Sequence, residues 1–260
     1  MNPTSTTSTT SSERRVQRVR HELERRPCTV QAVTRLSPGV VRVRFADASL
    51  TRFISLSFDD HLKLMLPAGP SAGDAPVMRD FTPRAYDNAA GTLDIEFALH
   101  GHGPAALWAA HAAPGQPVTI GGPRGSLIIP MDYDWYLLVG DESALPAIAR
   151  RLEELPATSR VWVLAETAEP ADRRELRSAA QVELRWLQTA AKGQPSALAE
   201  AVAGLNLPAG EGYAWAAGEA SAIAAVRQVL VHQHGLPKER IRAASYWKPG
   251  AAGHHENLES

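Results

Sequence analysis

The sequence has few cysteines, few aromatic residues and no long apolar run, and each shortage excludes a class of protein. Its 260 residues include one cysteine, Cys28, which excludes an intrachain disulfide and any cluster held by several thiolates of this chain. No apolar run approaches the roughly 20 residues of a membrane-spanning helix, and the N-terminal Ser/Thr stretch lacks the apolar core of a signal peptide. We therefore expect a cytoplasmic protein without membrane insertion.

Other absences concern charge and catalysis. The formal net charge is −1 and 21% of residues are charged, so the overall balance predicts no nucleic acid or membrane surface as a partner. The nine histidines are scattered without the spacing of a metal site, and we expect no structural metal. Neither a Ser–His–Asp arrangement nor H-E-x-x-H is recognisable, which argues against hydrolysis.

The first half of the chain has the sequence pattern of a small β domain. Residues 1–26 lack hydrophobic periodicity and are predicted to be a disordered basic tail, in which RRVQRVRHELERR has the option of a short helix. Residues 27–130 contain short β-rich segments separated by glycine and proline, with one helical segment near PAALWAAHAA. Their spacing predicts a six-stranded antiparallel barrel.

The second half, residues 131–260, alternates between strand and helix patterns. Apolar strands such as DWYLLVG are followed by segments with helical periodicity, including DESALPAIARRLEEL, ADRRELRS and ASAIAAVRQVLVHQHG. This alternation is typical of a doubly wound parallel sheet, which binds ligands at the carboxyl ends of its strands. The whole chain is thus predicted to be a β plus α/β protein of two domains.

The most unusual stretch is VMRDFTPRAYD, residues 77–87, which combines arginines and aromatics with a threonine and a proline. Arg79 and Arg84 are suited to an anionic group, and Phe81 or Tyr86 to a flat heterocycle. The stretch alone also fits an edge strand with surface arginines and core aromatics. Farther along, HGHGPAALWA places two glycines before a helix whose first turn accepts proline, which would suit a diphosphate.

Two strand–glycine–helix junctions in the second half are candidate nucleotide sites. Each offers backbone N–H groups and a helix N-terminus to a phosphate, although the dinucleotide fingerprint G-x-G-x-x-G is missing. The candidate residues for a nicotinamide nucleotide are Gly140, Asp141, Glu142, Ala144, Glu166, Gly218 and Glu219.

Taken in order, the motifs RDFTPR, LHGHGPAALWA, GGPRGS, LLVGDESALPAI and ASYWKPG resemble those of the siderophore-interacting protein family, flavin-dependent ferric-siderophore reductases related to ferredoxin–NADP reductases. The resemblance spans roughly residues 28–250. It implies an FAD-binding barrel joined to an NAD(P)H-binding α/β domain, and an enzyme that reduces Fe(III) held by a siderophore and releases Fe(II).

The resemblance also implies roles for individual residues. Phe81 would lie against the flavin, Thr82 near its N5 atom and Arg79 toward phosphate, with Arg84 completing the motif. Many members have tyrosine in place of Phe81, so a hydroxyl is missing here. The remaining FAD candidates are His100, Gly101, Gly103, Pro104, Ala105 and Trp108 on the diphosphate and adenosine side, Gly125 and Ser126 in the next loop, and Tyr246 and Trp247 on the returning C-terminal strand.

The resemblance also implies three positively charged residues that bind the substrate. Lys63, Arg124 and Lys248 match positions of the family's basic pocket, where they would hold an anionic ferric siderophore. The sequence does not decide between NADH and NADPH, because Glu166 suits a ribose 2′-hydroxyl while Arg173 or Arg174 suits a 2′-phosphate.

The sequence leaves other functions open. One is a general NAD(P)H–flavin oxidoreductase or diaphorase with ferredoxin or a free flavin as its partner, and another is a siderophore-binding protein without turnover.

Overall fold

The computed structural model of the chain describes residues 16–66, 77–99, 103–189, 194, 196–251 and 256–257. An antiparallel sheet occupies the first half of the chain and a mostly parallel sheet the second, with a two-stranded ribbon beside them. This is the two-part architecture expected from the sequence. Within the described ranges, no helix is long and apolar enough to cross a membrane.

The antiparallel sheet encloses the first apolar core. Its strands lie in the order β5-β4-β8-β2-β3-β7-β6. Val43 on β3 pairs with Ile95 on β7 and both are buried, and the intervening acids Asp94 and Glu96 of β7 are buried as well. The elements are β2 (Arg25–Ser37), β3 (Val40–Ala46), β4 (Leu62–Leu66), β5 (Val77–Phe81), β6 (Ala85–Asp87), β7 (Thr92–Ala98), α1 (Pro104–Ala110) and β8 (Pro117–Gly121).

The unusual stretch 77–87 forms two strands, so the described sheet has seven strands where six were expected. Thr82, Pro83 and Arg84 separate β5 from β6, and Pro83 has no N–H to donate to a neighbouring strand. Because β5 and β6 lie at opposite ends of the strand order but are joined by three residues, the sheet is curled upon itself.

The parallel sheet has the strand order β12-β11-β10-β13-β14, with β15 antiparallel at its edge. Buried side chains on one face of β10 pack with α2, and those on the other face pack with α3 and α4. Helices therefore cover both faces, as predicted. The elements are β10 (Trp135–Gly140), α2 (Leu145–Glu154), β11 (Arg160–Thr167), β12 (Gln181–Gln188), α3 (Leu198–Ala203), β13 (Gly212–Glu219), α4 (Ala220–His232), β14 (Ile241–Trp247) and β15 (Glu256–Asn257).

The helix predicted near ADRRELRS is wrong. Only Pro170–Asp172 makes a short 3₁₀ turn, and the residues after it are not helical. Asp172 accepts hydrogen bonds from the Ser37 hydroxyl and the Gly39 N–H, both at 2.7 Å, and Arg174 bonds to Glu96 at 2.6 Å. These contacts to the antiparallel sheet come from two residues only two positions apart, which suits extended chain better than a helix.

The prediction of a disordered tail is also wrong for residues 16–26. β1 (Gln17–Arg20) pairs antiparallel with β9 (Gly125–Ile128), and β2 begins at Arg25. In this segment Arg18 and Arg20 flank Val19, which is the alternation of a strand. A Cβ atom at Gly125 would lie 2.4 Å from the Val19 carbonyl oxygen, so glycine is required for the close approach of the two strands.

Candidate functional site

The β4–β5 pair presents different residues on its two faces. Leu62 pairs with Phe81 and Leu64 with Arg79, so these four share the face that contributes to the apolar core. On the opposite face Lys63 pairs with Asp80. The predicted flavin residues Arg79 and Phe81 therefore lie on one side of the hairpin, and the predicted substrate residue Lys63 lies on the other.

A cavity of about 650 Å³ lies on the Lys63 side. Its volume falls in the range of small-molecule sites, about 300–1,000 Å³. It is lined by residues of β1, the start of β2, the segment before β4, the β4–β5 pair, the end of β8, β9 and the connection before it, and one residue of β14. The ionisable lining residues are the cations Arg18, Arg20, Arg25, Lys63, Arg124 and Arg242, the acids Asp59, Asp60 and Asp80, and His61.

The cations of the cavity differ in whether their charge is already balanced. The Lys63 ammonium donates to both Asp80 carboxylate oxygens, at 2.8 and 2.7 Å, and Arg242 donates to Asp59 at 2.9 Å. Within the described part of the chain, Arg20, Arg25 and Arg124 are exposed and have no carboxylate partner. These three arginines are the positive charge that the cavity offers to an anionic ligand.

The three predicted substrate cations do not come together. Lys63 and Arg124 line the cavity, whereas Lys248 is not among its lining residues. Lys248 follows β14, forms a bridge with Ala251, and lies close enough to Glu219 to lower the pKa of its carboxyl. It thus belongs to the carboxyl edge of the parallel sheet and does not line the cavity that Lys63 and Arg124 share.

Sequence reasoning missed the arginines of the N-terminal segment. Arg18, Arg20 and Arg25 reach the cavity because β1 pairs with β9 and β2 begins at Arg25. The alternation of arginine and valine in QRVR was the available signal. It was outweighed by the polarity of the surrounding residues.

The predicted flavin residues of β5 and α1 meet around one aromatic ring. The ring centroid of Phe97 lies 4.5 Å from that of Phe81 and 5.7 Å from that of Trp108. Ala105 also packs against this core. α1 begins at Pro104, and a Cβ on the preceding Gly103 would meet nothing within 4 Å. His100 and Gly101 lie outside the described residues.

Beside this aromatic group, the side chains of Thr82 and Arg79 are able to form further hydrogen bonds. The Thr82 side chain is 5% exposed, and its hydroxyl has no hydrogen-bond partner among the residues that the structure describes. Arg79 donates to the Met78 carbonyl at 2.8 Å and is only partly buried. A hydroxyl without a partner is available to donate and to accept hydrogen bonds, so Thr82 is suited to bind a group that is added to the protein.

Arg84, predicted to bind the flavin, has other partners. Its guanidinium is buried and donates to both oxygens of Glu153 on α2, at 2.8 and 2.6 Å, and its Nε lies 3.3 Å from Glu96. Burial lowers the pKa of Arg84, but the two carboxylates outweigh it and raise the pKa overall. The structure therefore corrects the role of Arg84, which links the antiparallel sheet to the parallel-sheet domain.

Gly125 and Ser126, the other predicted flavin-loop residues, both line the cavity. The Ser126 hydroxyl donates to Asp60 at 2.7 Å, accepts from the Leu56 N–H at 3.1 Å and lies 2.8 Å from His21 Nε2. Ser126 therefore connects β9, the segment before β4 and the N-terminal segment at the base of the cavity.

The carboxyl edge of the parallel sheet brings several predicted nucleotide residues together. A Cβ on Gly140 would lie 2.7 Å from the Ala217 carbonyl oxygen, and one on Gly218, whose φ is +148°, would lie 2.5 Å from Asp141 Oδ2. Asp141 accepts from the Glu219 N–H and the Trp247 indole, both at 2.8 Å. Burial raises the pKa of the Asp141 carboxyl.

The other nucleotide candidates lie around this edge. Ala144 is fully buried before α2, and Glu142 accepts from the Ala168 N–H. Glu166 is buried, accepts from the Ser196 hydroxyl at 2.6 Å, and has its pKa raised by burial. Arg174 is held by Glu96, so its prediction as a 2′-phosphate ligand is wrong, whereas Arg173 is exposed.

Tyr246 lies between the two parts of the molecule. Its hydroxyl donates to Asp59 at 3.2 Å, and its ring meets the His61 ring edge-on at 4.9 Å. Burial raises the pKa of the hydroxyl. Tyr246 therefore packs at the junction of the two sheets, whereas the adjacent Trp247 is 44% exposed.

Comparisons with known proteins agree with this geometry. A family model described as siderophore-interacting protein matches residues 133–250, and one described as siderophore-interacting FAD-binding domain matches residues 29–74 and 69–127. The chain is 34% identical over 250 residues to the NADPH-dependent ferric-chelate reductase of Escherichia coli (strain K12), covering 89% of this chain and 96% of that protein. It is 30% identical to the ferric vibriobactin reductase ViuB of Vibrio cholerae, covering 83% and 86%.

A solved structure is similar over nearly the whole chain. It is a siderophore utilization protein from T. fusca, with a TM-score of 0.84 and 32% identity, and the match covers 92% of this chain and 98% of that one.

Proposed function

The chain belongs to the siderophore-interacting protein family, and we propose that it is an FAD-containing, NAD(P)H-dependent reductase that releases iron as Fe(II) from ferric siderophores. The observation that carries this proposal is the cavity of about 650 Å³, in which Arg20, Arg25 and Arg124 have no carboxylate partner, on the reverse side of the strand that bears Arg79 and Phe81. An anionic chelate fits such a site.

FAD would be held by the antiparallel sheet, residues 27–130. Arg79 would bind phosphate, the aromatic group of Phe81 and Trp108 would pack against the cofactor, and the unpaired Thr82 hydroxyl would hydrogen-bond to it. The start of α1 at Gly103 and Pro104 is open and would lie along the diphosphate. When bound, FAD supplies the electron storage that amino-acid side chains lack.

The nicotinamide nucleotide would bind at the carboxyl edge of the parallel sheet, in residues 131–260. Gly140 and Gly218 let the backbone approach closely there, and the Trp247 indole is held by Asp141. Ligands of such sheets bind at this edge. The homologue from Escherichia coli is named NADPH-dependent, and the exposed Arg173 would be the 2′-phosphate ligand if this chain has the same preference.

The substrate would bind in the cavity. Its three unbalanced arginines would attract an anionic ferric chelate and hold it against the β4–β5 hairpin. Lys63 contributes less than a free cation would, because its ammonium is already paired with Asp80.

The test is anaerobic reduction of the purified yellow protein with NADH or NADPH, followed by mixing with a panel of ferric chelates and trapping of Fe(II). We expect flavin absorbance that is bleached by a nicotinamide and restored by an anionic ferric chelate. A colourless protein after gentle purification would contradict the flavin and favour a binding protein without turnover. Faster oxidation by an artificial dye or ferredoxin than by every chelate would favour a general diaphorase.

A further inference from the structure

Two adjacent acids at the base of the cavity have very different surroundings. Both oxygens of Asp59 are used: Oδ1 accepts from the Trp215 indole and the Tyr246 hydroxyl, and Oδ2 accepts from the Arg242 guanidinium at 2.9 Å. Asp60 is equally buried, at 2% exposed, but forms no ion pair with an arginine or lysine among the described residues.

All hydrogen bonds to Asp60 converge on one of its oxygens. Oδ2 accepts from the Ser55 hydroxyl at 2.9 Å, the Ser57 N–H at 3.1 Å and the Ser126 hydroxyl at 2.7 Å. Oδ1 is buried and has no hydrogen-bond partner in the described chain. Because three donors occupy Oδ2, a proton on this carboxyl group resides on Oδ1, where it has no acceptor in the protein.

Burial and the groups around Asp60 act in opposite directions on the pKa of its carboxyl. Burial raises the pKa of its carboxyl, while the three hydrogen bonds and, from α2, the positive charge of Arg150 lower it, and the net shift is upward. His21 approaches through Ser126, and Asp59, His61, Lys63 and Arg242 line the same cavity.

We propose that Asp60, which lines this cavity, is its acid: on binding of the ferric chelate a shift of the side chain brings its Oδ1–H, buried in this structure, to an iron-ligating oxygen, to which it donates a hydrogen bond and transfers the proton as iron leaves. The proposal rests on the proposed function, which supplies the anionic chelate and the reductant. A carboxylate in a site for anions repels its ligand, whereas a carboxylic acid binds it and offers the proton that the freed oxygen requires.

The step balances. One electron from the reduced flavin converts Fe(III) to Fe(II), the bond between iron and the chelate oxygen breaks with its electron pair staying on that oxygen, and the oxygen takes the proton of Asp60. Asp60 is left as a carboxylate. The cavity is open to solvent, from which the carboxylate regains a proton after the products leave.

The first experiment measures binding without turnover. A gallium(III) complex of a hexadentate catecholate has the charge of its iron counterpart but is not reduced, and its affinity is measured by fluorescence titration between about pH 5 and pH 8 for the wild type and Asp60→Asn. Asparagine keeps the oxygen that accepts three hydrogen bonds and places an N–H donor where Oδ1–H was, without titrating.

We expect the wild-type affinity, divided by that of Asp60→Asn, to fall as pH rises, by up to about tenfold per pH unit above the pKa of Asp60. The sign follows from the upward shift: the acid form, which binds, is present below the pKa and is lost above it. Any pH dependence of the chelate itself affects both proteins and cancels in the ratio. A ratio that is constant with pH overturns the proposal.

Ser126→Ala provides a second test that does not depend on Asp60→Asn being folded. The Ser126 hydroxyl lowers the pKa of Asp60, so its removal raises that pKa and moves the loss of affinity to higher pH. His21→Gln controls for the lost contact between Ser126 and His21 and leaves the midpoint in place. An unshifted midpoint in Ser126→Ala contradicts the proposal.

The third measurement concerns the release step. With the ferric complex, Asp60→Asn should keep its KM at low pH but release Fe(II) about 100-fold more slowly, the usual effect of losing a general acid. If the wild type neither binds the gallium complex nor reduces the ferric one, the proposed function fails. If the wild type does both and Asp60→Asn matches it at every pH, only the role of Asp60 fails.

Discussion

Arginines form two groups in this molecule, one between the sheets and one around the cavity. Between the sheets, Arg42 and Arg174 each bond to Glu96 at 2.6 Å and Arg84 lies 3.3 Å from it. Around the cavity, Arg20, Arg25 and Arg124 have no carboxylate partner in the described chain. The difference teaches that residue type alone does not assign a role, whereas the balance of charge around the side chain does.

The largest effect on stability is expected when the arginines between the sheets lose their shared carboxylate, Glu96. Glu96→Gln leaves Arg42 and Arg174 without a carboxylate, and the Glu96 side chain is 1% exposed, so we expect the free energy of unfolding to fall by about 3 kcal/mol. Denaturant unfolding measures this. The thiol of Cys28, 1% exposed with its pKa raised by burial to about 12, adds a second measurement because it reacts only when the antiparallel sheet opens.

A matched control is Glu153→Gln. Glu153 also pairs with Arg84, but its side chain is 42% exposed, so the loss should stay below about 1 kcal/mol. Equal losses in the two variants would show that the burial of Glu96 does not decide the effect.

Replacing the arginines of the cavity should change substrate binding but not stability. Replacing Arg20, Arg25 and Arg124 with alanine should raise KM for an anionic ferric chelate at least about tenfold, which corresponds to 1.4 kcal/mol, and leave the unfolding midpoint nearly unchanged. Lys248→Ala is the control, because Lys248 lies near Glu219 outside the cavity. A higher KM in Lys248→Ala would contradict the placement.

A smaller effect should separate two neighbouring arginines. Arg173 is exposed and Arg174 is paired with Glu96, and burial lowers the pKa of Arg174. We expect Arg173→Ala to raise KM for NADPH about fivefold without changing KM for NADH, a loss of roughly 1 kcal/mol. Arg174→Ala should lower stability instead. Steady-state kinetics with both nicotinamides, alongside thermal unfolding, measure the two effects, and exchanged results would reverse the assignment.

The smallest effect is expected at Phe81, on the face of β5 that contributes to the apolar core. Its ring packs 4.5 Å from that of Phe97, and that contact does not depend on a hydroxyl. We expect Phe81→Tyr to change FAD affinity by less than about threefold, which is under 1 kcal/mol. Titration of the flavin-free protein with FAD measures this, and a gain of tenfold or more would show that the missing hydroxyl limits flavin binding.

The sequence predicted the elements better than their partners. The apolar run of β10 and the alternation of β7 are local patterns, and both strands are present. The bond between Arg84 and Glu153 joins residues 69 apart, and nothing in the motif around Arg84 indicates it. For the same reason the short basic strand β1 was not predicted, because its hydrogen-bonding partner β9 lies far along the chain.

Candidate site residues were likewise predicted where they belong to a local motif and missed where their role depends on long-range contacts. Lys63, Arg124, Gly125 and Ser126 belong to recognisable motifs, and all four line the cavity. Asp60 belongs to no motif that the sequence offered, and its significance depends on three donors converging on one oxygen, which only the fold provides.

The pairing of β1 with β9 also bears on the order in which the molecule is completed during synthesis. His21 and Ser126 are 105 residues apart, so β1 leaves the ribosome long before the strand that it pairs with has been made. Until β9 has been made, Arg18 and Arg20 cannot take their places in the lining of the cavity. Contacts of such long sequence separation form slowly. The nascent chain therefore acquires this cavity only after most of the antiparallel sheet has been synthesised.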